Sequence, residues 1–179
     1  HFGFSVAGAG DVDGDGFDDL VVGAPDARPG GKAFAGTASV YSGATGALVH
    51  LAAGGANDAL GYAVAGAGDL NGDGYADLLV GAPTTRAGGK TWSGSAYALD
   101  GATGATLHRF NGAAGFDQLG SAVAGPGDVD GDGVPDLFVG AYSASPGGLR
   151  DAGAATLYSG ATGAVIHEFG GRAKGDSLG

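Results

Sequence analysis

Short apolar runs separated by glycine-rich turns make up most of this chain. In the first sixty residues these runs cover Phe4–Ala9, Asp19–Gly23, Thr37–Tyr41 and Ala47–Ala52. Their length and the turn residues that bound them are typical of β-strands. A hairpin turn is predicted at 42–46, where glycines can adopt the positive φ that a tight turn requires. The pattern therefore predicts four short strands in this segment, and no stretch has the length and periodicity of an amphipathic helix.

The same strand pattern recurs twice more along the chain. The aligned segments are 3–60, 61–119 and 120–178. Asp11, Asp69 and Asp128 occupy equivalent positions in them, at spacings of 58 and 59 residues. Residues 175–179 form the beginning of a further repeat. A repeat of this length indicates a solenoid or a propeller, in which each unit buries its faces only against its neighbours.

Four antiparallel strands per repeat form the unit of a β-propeller blade. A β-solenoid is the alternative architecture, although its repeats are normally much shorter. The sequence thus predicts an all-β fold, with a single domain over 1–179 built of three four-stranded antiparallel blades. Propellers close with about four to eight blades. We therefore expect a partial propeller or part of a larger or oligomeric ring, completed by other copies of this chain or by further blades of a parent chain.

Each repeat carries an aspartate-rich loop between its first two strands, of the form Asp-x-Asp/Asn-x-Asp-Gly-x-x-Asp. Oxygen ligands at alternate positions suit a hard cation, and calcium takes about six to eight oxygens from carboxylates, carbonyls and water. Positions 1, 3, 5 and 9 offer side chains, and the backbone carbonyl of position 7 completes the set. We therefore predict three Ca²⁺ sites. Their ligands are Asp11, Asp13, Asp15, Phe17 and Asp19 in the first loop, Asp69, Asn71, Asp73, Tyr75 and Asp77 in the second, and Asp128, Asp130, Asp132, Val134 and Asp136 in the third.

A simple polar turn, or a site for a different metal, fits these loops less well. A purely polar hairpin turn would not need a carboxylate at position 9 in every repeat. No histidine or cysteine joins the clusters, which argues against zinc or copper, and magnesium prefers fewer protein ligands. Position 12 is valine instead of glutamate and strands flank the loops, so these are not EF-hands, and the repeat is too long for nonapeptide calcium repeats. Because Asn71 replaces the carboxylate of Asp13, the second loop is expected to bind calcium less tightly than the first.

The residues around these loops resemble the FG-GAP repeat of integrin α-subunit propellers and of many bacterial surface proteins. Phe2-Gly3 and Gly23-Ala24-Pro25 provide the two halves of that motif around the first loop. The later repeats depart mildly from it, with Leu60-Gly61 and Leu119-Gly120 in place of Phe-Gly and with Gly140-Ala141-Tyr142 in place of Gly-Ala-Pro. The resemblance covers all three repeats. It implies calcium loops on one face of a propeller and partner binding on the opposite face, without identifying the partner.

The net charge of −11 is concentrated, since eleven of the nineteen carboxylates occupy ligand positions of the three loops. Overall acidity disfavours nucleic-acid binding, and no apolar run is long enough for direct membrane insertion. Cations and aromatic residues fall in the connections between second and third strands, on the face opposite the loops. A cation beside an exposed aromatic ring suits a protein hot spot or a stacked sugar. The candidate partner-binding residues are Arg28, Lys32, Phe34, Arg86, Lys90, Trp92 and Arg150.

The sequence contains no phosphate-binding glycine loop. His50, His108 and His167 are equivalent positions on the fourth strand, which favours a blade-packing or edge role over catalysis. We therefore expect a module that is not an enzyme and that acts in adhesion, protein–protein interaction or extracellular assembly. A secreted or cell-surface location is expected because extracellular calcium can fill loops of modest affinity. Two alternatives stay open, a propeller lectin that binds glycans and the non-catalytic propeller domain of a larger secreted hydrolase.

Overall fold

A computed structural model describes all 179 residues and contains three four-stranded antiparallel sheets. The strands of each sheet follow chain order, so each repeat forms one complete blade. The first blade consists of β1 (Ser5–Gly10), β2 (Asp19–Ala24), β3 (Thr37–Tyr41) and β4 (Leu48–Ala53). The second consists of β5 (Val64–Gly68), β6 (Asp77–Ala82), β7 (Ser95–Leu99) and β8 (Thr106–Asn111). The third consists of β9 (Leu119–Gly127), β10 (Asp136–Ala141), β11 (Ala154–Tyr158) and β12 (Val165–Gly170). The all-β fold of propeller blades predicted from the sequence is confirmed.

A β-bulge at the end of the first strand turns the chain into each aspartate loop. In the first blade the register between β1 and β2 shifts between Gly8 and Gly10, and Gly10 has a φ of 78°. Gly68 and Gly127 adopt φ values of 72° and 86° at the same point of β5 and β9. Only glycine reaches this conformation without strain. The glycine that precedes each loop is therefore required by the bend of the chain.

The blades pack face to face as an open arc, the first on the second and the second on the third. One apolar core lies between the first two blades and contains Val21, Val40 and Val80. A second core, between the second and third blades, contains Leu79 and Val139. The innermost strands β1, β5 and β9 also pack against one another. Because adjacent repeats bury each other, the second blade is covered on both faces.

A Leu-Gly pair joins each blade to the next. Leu60 forms a bridge with Gly36 of the first blade, and the N–H of Gly61 donates to the carbonyl of Gly81 in the second, at 3.0 Å. These bonds hold consecutive blades together at the end of the strands opposite the aspartate loops. The same bridge joins Leu119 to Gly94 and Leu178 to Gly153.

The connections between second and third strands each contain one 3₁₀ turn of three residues. These turns are Pro29–Gly31, Ala87–Gly89 and Pro146–Gly148. The chain has no helix long and apolar enough to cross a membrane.

Candidate metal centre

The aspartate at position 1 of each loop organises the loop backbone. In the first loop Asp11 Oδ1 accepts N–H groups from Gly14 (2.7 Å) and Asp15 (3.1 Å), and its Oδ2 accepts the N–H of Gly16 (2.9 Å). Asp69 and Asp128 hold the glycines of the other two loops in the same way. The glycines at position 6 have φ between 88° and 92°, so only glycine fits the turn without strain. The chain is thus wrapped tightly around one carboxylate in every repeat.

In the first loop the side chains at positions 1, 3 and 5 point into the same small volume. Asp13 Oδ1 accepts the N–H of Asp15 at 3.1 Å, and Asp15 Oδ1 accepts the N–H of Phe17 at 2.9 Å. Asp11, Asp13 and Asp15 can each place an oxygen within 4.8 Å of the others. In the third loop the carboxylates that converge in this way are Asp128, Asp130 and Asp136. Two of the three predicted clusters therefore assemble as groups of carboxylates that could hold a metal ion.

The aspartates at position 9 are completely buried beneath the loops. Asp19 Oδ2 accepts the N–H of Val12 at 2.8 Å, and its Oδ1 accepts the N–H of Gly43 in the β3–β4 hairpin at 2.9 Å. Asp77 and Asp136 bind Gly101 (2.8 Å) and Gly160 (3.2 Å) in the same way. These carboxylates fasten each loop to a hairpin of its own blade. Each Oδ1 accepts only one of these bonds and keeps lone-pair capacity for a cation.

The hairpin glycines that bind position 9 were not identified as site residues from the sequence. A Cβ on Gly43, Gly101 or Gly160 would lie 2.0, 1.9 or 1.8 Å from the carbonyl oxygen of the residue at position 8 of the loop. Any larger residue would push the hairpin away from the buried carboxylate. The Gly-Ala-Thr-Gly-Ala motif that begins at each of these glycines is their sequence signal, although by itself it predicts only a turn.

Negative charge is poorly compensated at the second loop. Burial raises the pKa of Asp77 above its usual range, while N–H groups of Gly101 and Leu70 act to lower it. The neighbouring charges of Asp100 and Asp73 raise the pKa of Asp77 further. A bound cation would relieve both the desolvation and the repulsion.

The complete donor set fits a hard cation. Its side-chain oxygens come from carboxylates and one amide, with no sulfur or imidazole among them. The carbonyl oxygens of Phe17, Tyr75 and Val134, at position 7, accept no hydrogen bond within the chain. They are therefore free to act as ligands.

The equivalent histidines of the second and third blades have different surroundings. His108 Nε2 lies 2.7 Å from the carbonyl oxygen of Gly160 in the third blade. Its ring also stacks on Phe110, which in turn stacks on Tyr158 of the third blade at 4.0 Å between ring centroids. His167, in the last blade, is exposed. The packing role predicted for this position is confirmed for His108.

The predicted partner-binding residues lie in the connections opposite the aspartate loops, spread over the three blades. Most contact residues of their own connection. Arg28 lies over the ring of Phe34 at 5.1 Å, Arg86 Nη2 donates to Thr91 Oγ1 at 3.1 Å, and Arg150 pairs with Asp151 at 3.2 Å. Lys90 Nζ donates to the carbonyl of Ala113. No polar contact of the Lys32 side chain is present.

Two of these residues share an aromatic groove that the sequence did not indicate. Phe34 and Trp92 line it together with Phe4 and Tyr62, whose ring centroids are 5.0 Å apart. The groove lies between the first and second blades, encloses about 330 Å³ and also contains Asn57 and Thr84. Phe4 and Tyr62 are equivalent residues one repeat apart, so only the packing of neighbouring blades brings them together.

Comparisons with known proteins agree with the repeat and the fold. The family model for the FG-GAP repeat matches residues 2–41, 60–99 and 119–158. Integrin alpha-V of Gallus gallus is 36% identical over 167 residues, which cover 89% of this chain and 15% of that protein. Integrin alpha-PS2 of Drosophila melanogaster is 35% identical over 164 residues, which cover 80% of this chain and 12% of that protein. The chain therefore spans only a small part of the length of these relatives.

Two solved structures share the arrangement of strands at much lower identity. Rhamnogalacturonan lyase PL11 of Bacillus licheniformis has a TM-score of 0.52 and 15% identity, covering 96% of this chain and 35% of that one. The exotype rhamnogalacturonan lyase YesX has a TM-score of 0.52 and 14% identity, covering 93% of this chain and 32% of that one. At such identity the likeness concerns the fold alone.

Proposed function

We propose that this chain, which belongs to the FG-GAP repeat family, is a calcium-stabilised propeller module that binds a partner and does not act as an enzyme. The observation that carries the proposal is the repeated loop, in which the backbone wraps around a position 1 carboxylate while further carboxylates converge. Nothing in that arrangement serves a chemical step. The carboxylates accept hydrogen bonds from backbone N–H groups of the loop and of the hairpin, which suits a structural cation.

Each of the three loops would hold its own cation through oxygen atoms. In the first loop these are the carboxylates of Asp11, Asp13, Asp15 and Asp19 and the carbonyl of Phe17. Calcium, when bound, would neutralise the cluster and fix the loop against its hairpin. Calcium is favoured over magnesium because the set of protein ligands is large and rich in carboxylates. Calcium levels outside the cell would keep loops of modest affinity filled, so we propose a secreted or cell-surface location.

Partner binding is proposed on the face opposite the aspartate loops, with a role in adhesion or extracellular assembly. The repeats diverge there, with Phe34, Trp92 and Asp151 at equivalent positions. The relatives are integrin α-subunits, which supports a protein partner. Further blades of a parent chain or other copies would cover the outer faces of the arc.

Glycan binding is the second candidate function, and the aromatic groove favours it. Exposed rings with a nearby amide suit a sugar, which stacks its apolar face and hydrogen-bonds through its hydroxyls. A glycan array tests this proposal. Binding that is lost in Trp92→Ala and kept in Tyr142→Ala, an exposed aromatic on the third blade, would support a lectin. An empty array would favour the protein partner.

The calcium proposal is tested by titration calorimetry on chelator-treated protein. Two matched variants sharpen the test, because both change an aspartate of the first loop to asparagine. Asp15→Asn alters a ligand position and should weaken one site by about tenfold or more, whereas Asp18→Asn, at the exposed position 8, should leave all sites nearly unchanged. Absence of binding in the unaltered protein, or equal effects of the two variants, would refute the assignment.

A further inference from the structure

The second repeat differs from the other two at a pair of positions. Position 3 of the loop is Asp13 in the first repeat and Asp130 in the third, but Asn71 in the second. The residue before the buried hairpin glycine differs in the same repeat. It is Ser42, Asp100 and Ser159 in chain order. One carboxylate is thus missing from the second loop, and one is gained in the adjacent hairpin.

The structure brings these two exceptional residues into contact. Asn71 Nδ2 donates to Asp100 Oδ2 at 3.0 Å, across 29 residues of sequence. Asp100 is only 9% exposed, so its charge lies beside the loop and is largely shielded from solvent. Its other oxygen, Oδ1, accepts the N–H of Thr103 at 2.7 Å. The hydroxyls of Ser42 and Ser159 make that same turn contact in their hairpins. Asp100 therefore makes the turn contact that serine makes in the other two hairpins, and its second carboxylate oxygen is available to accept a hydrogen bond from the loop.

The contact also fixes the orientation of the Asn71 amide. Asn71 Oδ1 accepts the N–H of Asp73 at 3.0 Å, just as Asp13 Oδ1 accepts the N–H of Asp15 in the first loop. Nδ2 then takes the place of the second carboxylate oxygen, and it donates both to Asp100 Oδ2 and, at 3.1 Å, to Asp73 Oδ2 of the loop.

The carboxylate count of the second site is restored by Asp100. Each of the other two sites has four carboxylates at positions 1, 3, 5 and 9 of its loop. The second site has Asp69, Asp73 and Asp77 in the loop and Asp100 beside it.

We propose that Asp100 is a positioning residue of the second calcium site, where it holds Asn71 and replaces the charge missing at position 3. This inference rests on the proposed calcium function. It changes the expectation drawn from the loop sequence alone, since the second site then binds calcium about as tightly as the first. Removal of an outer partner of this kind typically costs about 10- to 100-fold in metal affinity. Asp100→Ser should therefore weaken the second site by roughly tenfold or more while keeping the turn contact to Thr103.

Asn71→Asp should not strengthen the site in the presence of Asp100. The new carboxylate oxygen would face Asp100 Oδ2 at about the present 3.0 Å separation, and two like charges there repel. The double variant Asn71→Asp/Asp100→Ser gives the second repeat the same residue pair as the other two. It should bind calcium within about threefold of the unaltered protein, so the two substitutions are strongly non-additive.

The test is a calcium titration of the full chain in which backbone amide signals are monitored by NMR. Gly74 reports the second loop, and Gly16 and Gly133 report the equivalent position of the other two. Ser42→Asp is the matched control, because it adds the hairpin carboxylate to a loop that already has Asp13, and it should not raise affinity at Gly16. Supporting results are a loss confined to Gly74 in Asp100→Ser and its recovery in the double variant.

Two different failures can be distinguished. If all three glycines respond to calcium but Asp100→Ser leaves the Gly74 curve unchanged, the role of Asp100 is refuted and the calcium function stands. If no glycine of the unaltered protein responds, the proposed function fails and this inference fails with it. Circular dichroism of each variant with excess calcium separates loss of affinity from loss of fold.

Discussion

The middle blade and the terminal blades use equivalent residues in different surroundings. Leu20, Leu78 and Leu137 occupy the same position of the second strand, directly after the buried aspartate. Leu78 is 4% exposed and Leu137 is fully buried, because each faces the preceding blade, whereas Leu20 is 55% exposed. All six residues of β6 are buried. On the other side of the arc, Phe138 and Phe169 line an open groove on the outer part of the third blade.

The difference shows that a blade has two apolar faces and that burial depends on its neighbours. The first blade offers Val6, Leu20 and Leu51 to solvent, and the third offers Phe169. Burial of apolar surface contributes roughly 25 cal/mol per Å², so the uncovered faces favour association with further blades or other copies. Treatments that act on all blades should therefore affect the terminal blades and the middle blade differently.

Removal of calcium should have the largest effect. With free calcium at 100 times Kd, each site would add about 2.7 kcal/mol, or roughly 8 kcal/mol for three independent sites. Chelation should therefore lower the melting temperature strongly, as measured by calorimetry. Hydrogen exchange should show protection lost first in the terminal blades, which each pack on a single neighbour. An unchanged melting temperature, or exchange that begins in the middle blade, would contradict this.

The equivalent leucines provide a direct test of blade burial. Leu78→Ala should destabilise the chain by about 2–5 kcal/mol through loss of core packing. Leu20→Ala should change the free energy of unfolding by less than about 0.5 kcal/mol, since the side chain is exposed. Chemical denaturation of both variants measures the difference. Equal costs would mean that another copy covers the first blade, which light scattering would reveal as particles larger than one chain.

The hairpin glycines should be intolerant of a methyl group. Gly101→Ala would place Cβ 1.9 Å from the Ala76 carbonyl, so the hairpin must shift away from Asp77. We expect a loss of about 1–3 kcal/mol in folding stability and weaker calcium binding at the second loop. Gly8→Ala is the control, because Gly8 has open space around its Cβ position. Similar melting curves for the two variants would argue against a role of the hairpin in the site.

Substitution of the equivalent histidines should give the smallest difference in stability between the middle and terminal blades. His108→Ala removes the contact to Gly160 and should cost about 1 kcal/mol. His167→Ala should have almost no effect, since no following blade lies against it and the side chain is exposed. Thermal denaturation at a pH where histidine is neutral compares the two. A larger loss in His167→Ala would indicate that the outer face of the third blade is covered in solution.

The strands, the blade repeat and the aspartate loops can be predicted from the amino-acid sequence. These features depend on local chemistry. Glycines at fixed offsets permit positive φ at Gly10 and Gly16, and oxygen-bearing side chains recur at alternate positions of the loop whatever surrounds it. The strand predicted at Thr37–Tyr41 has those bounds in the structure, and the other three strands of that blade shift by one residue at one or both ends.

The burial of equivalent residues and the contacts between distant residues depend instead on the tertiary structure. Leu20 and Leu78 follow the same motif, but only Leu78 has a blade packed against it. Asn71 and Asp100 come into contact because β6 pairs with β7, which carries the hairpin back to the loop. Phe4 and Tyr62 share a groove only because consecutive blades stack. A repeat pattern fixes what each unit contains, whereas neighbour packing and strand pairing, which act over tens of residues, fix what each unit touches.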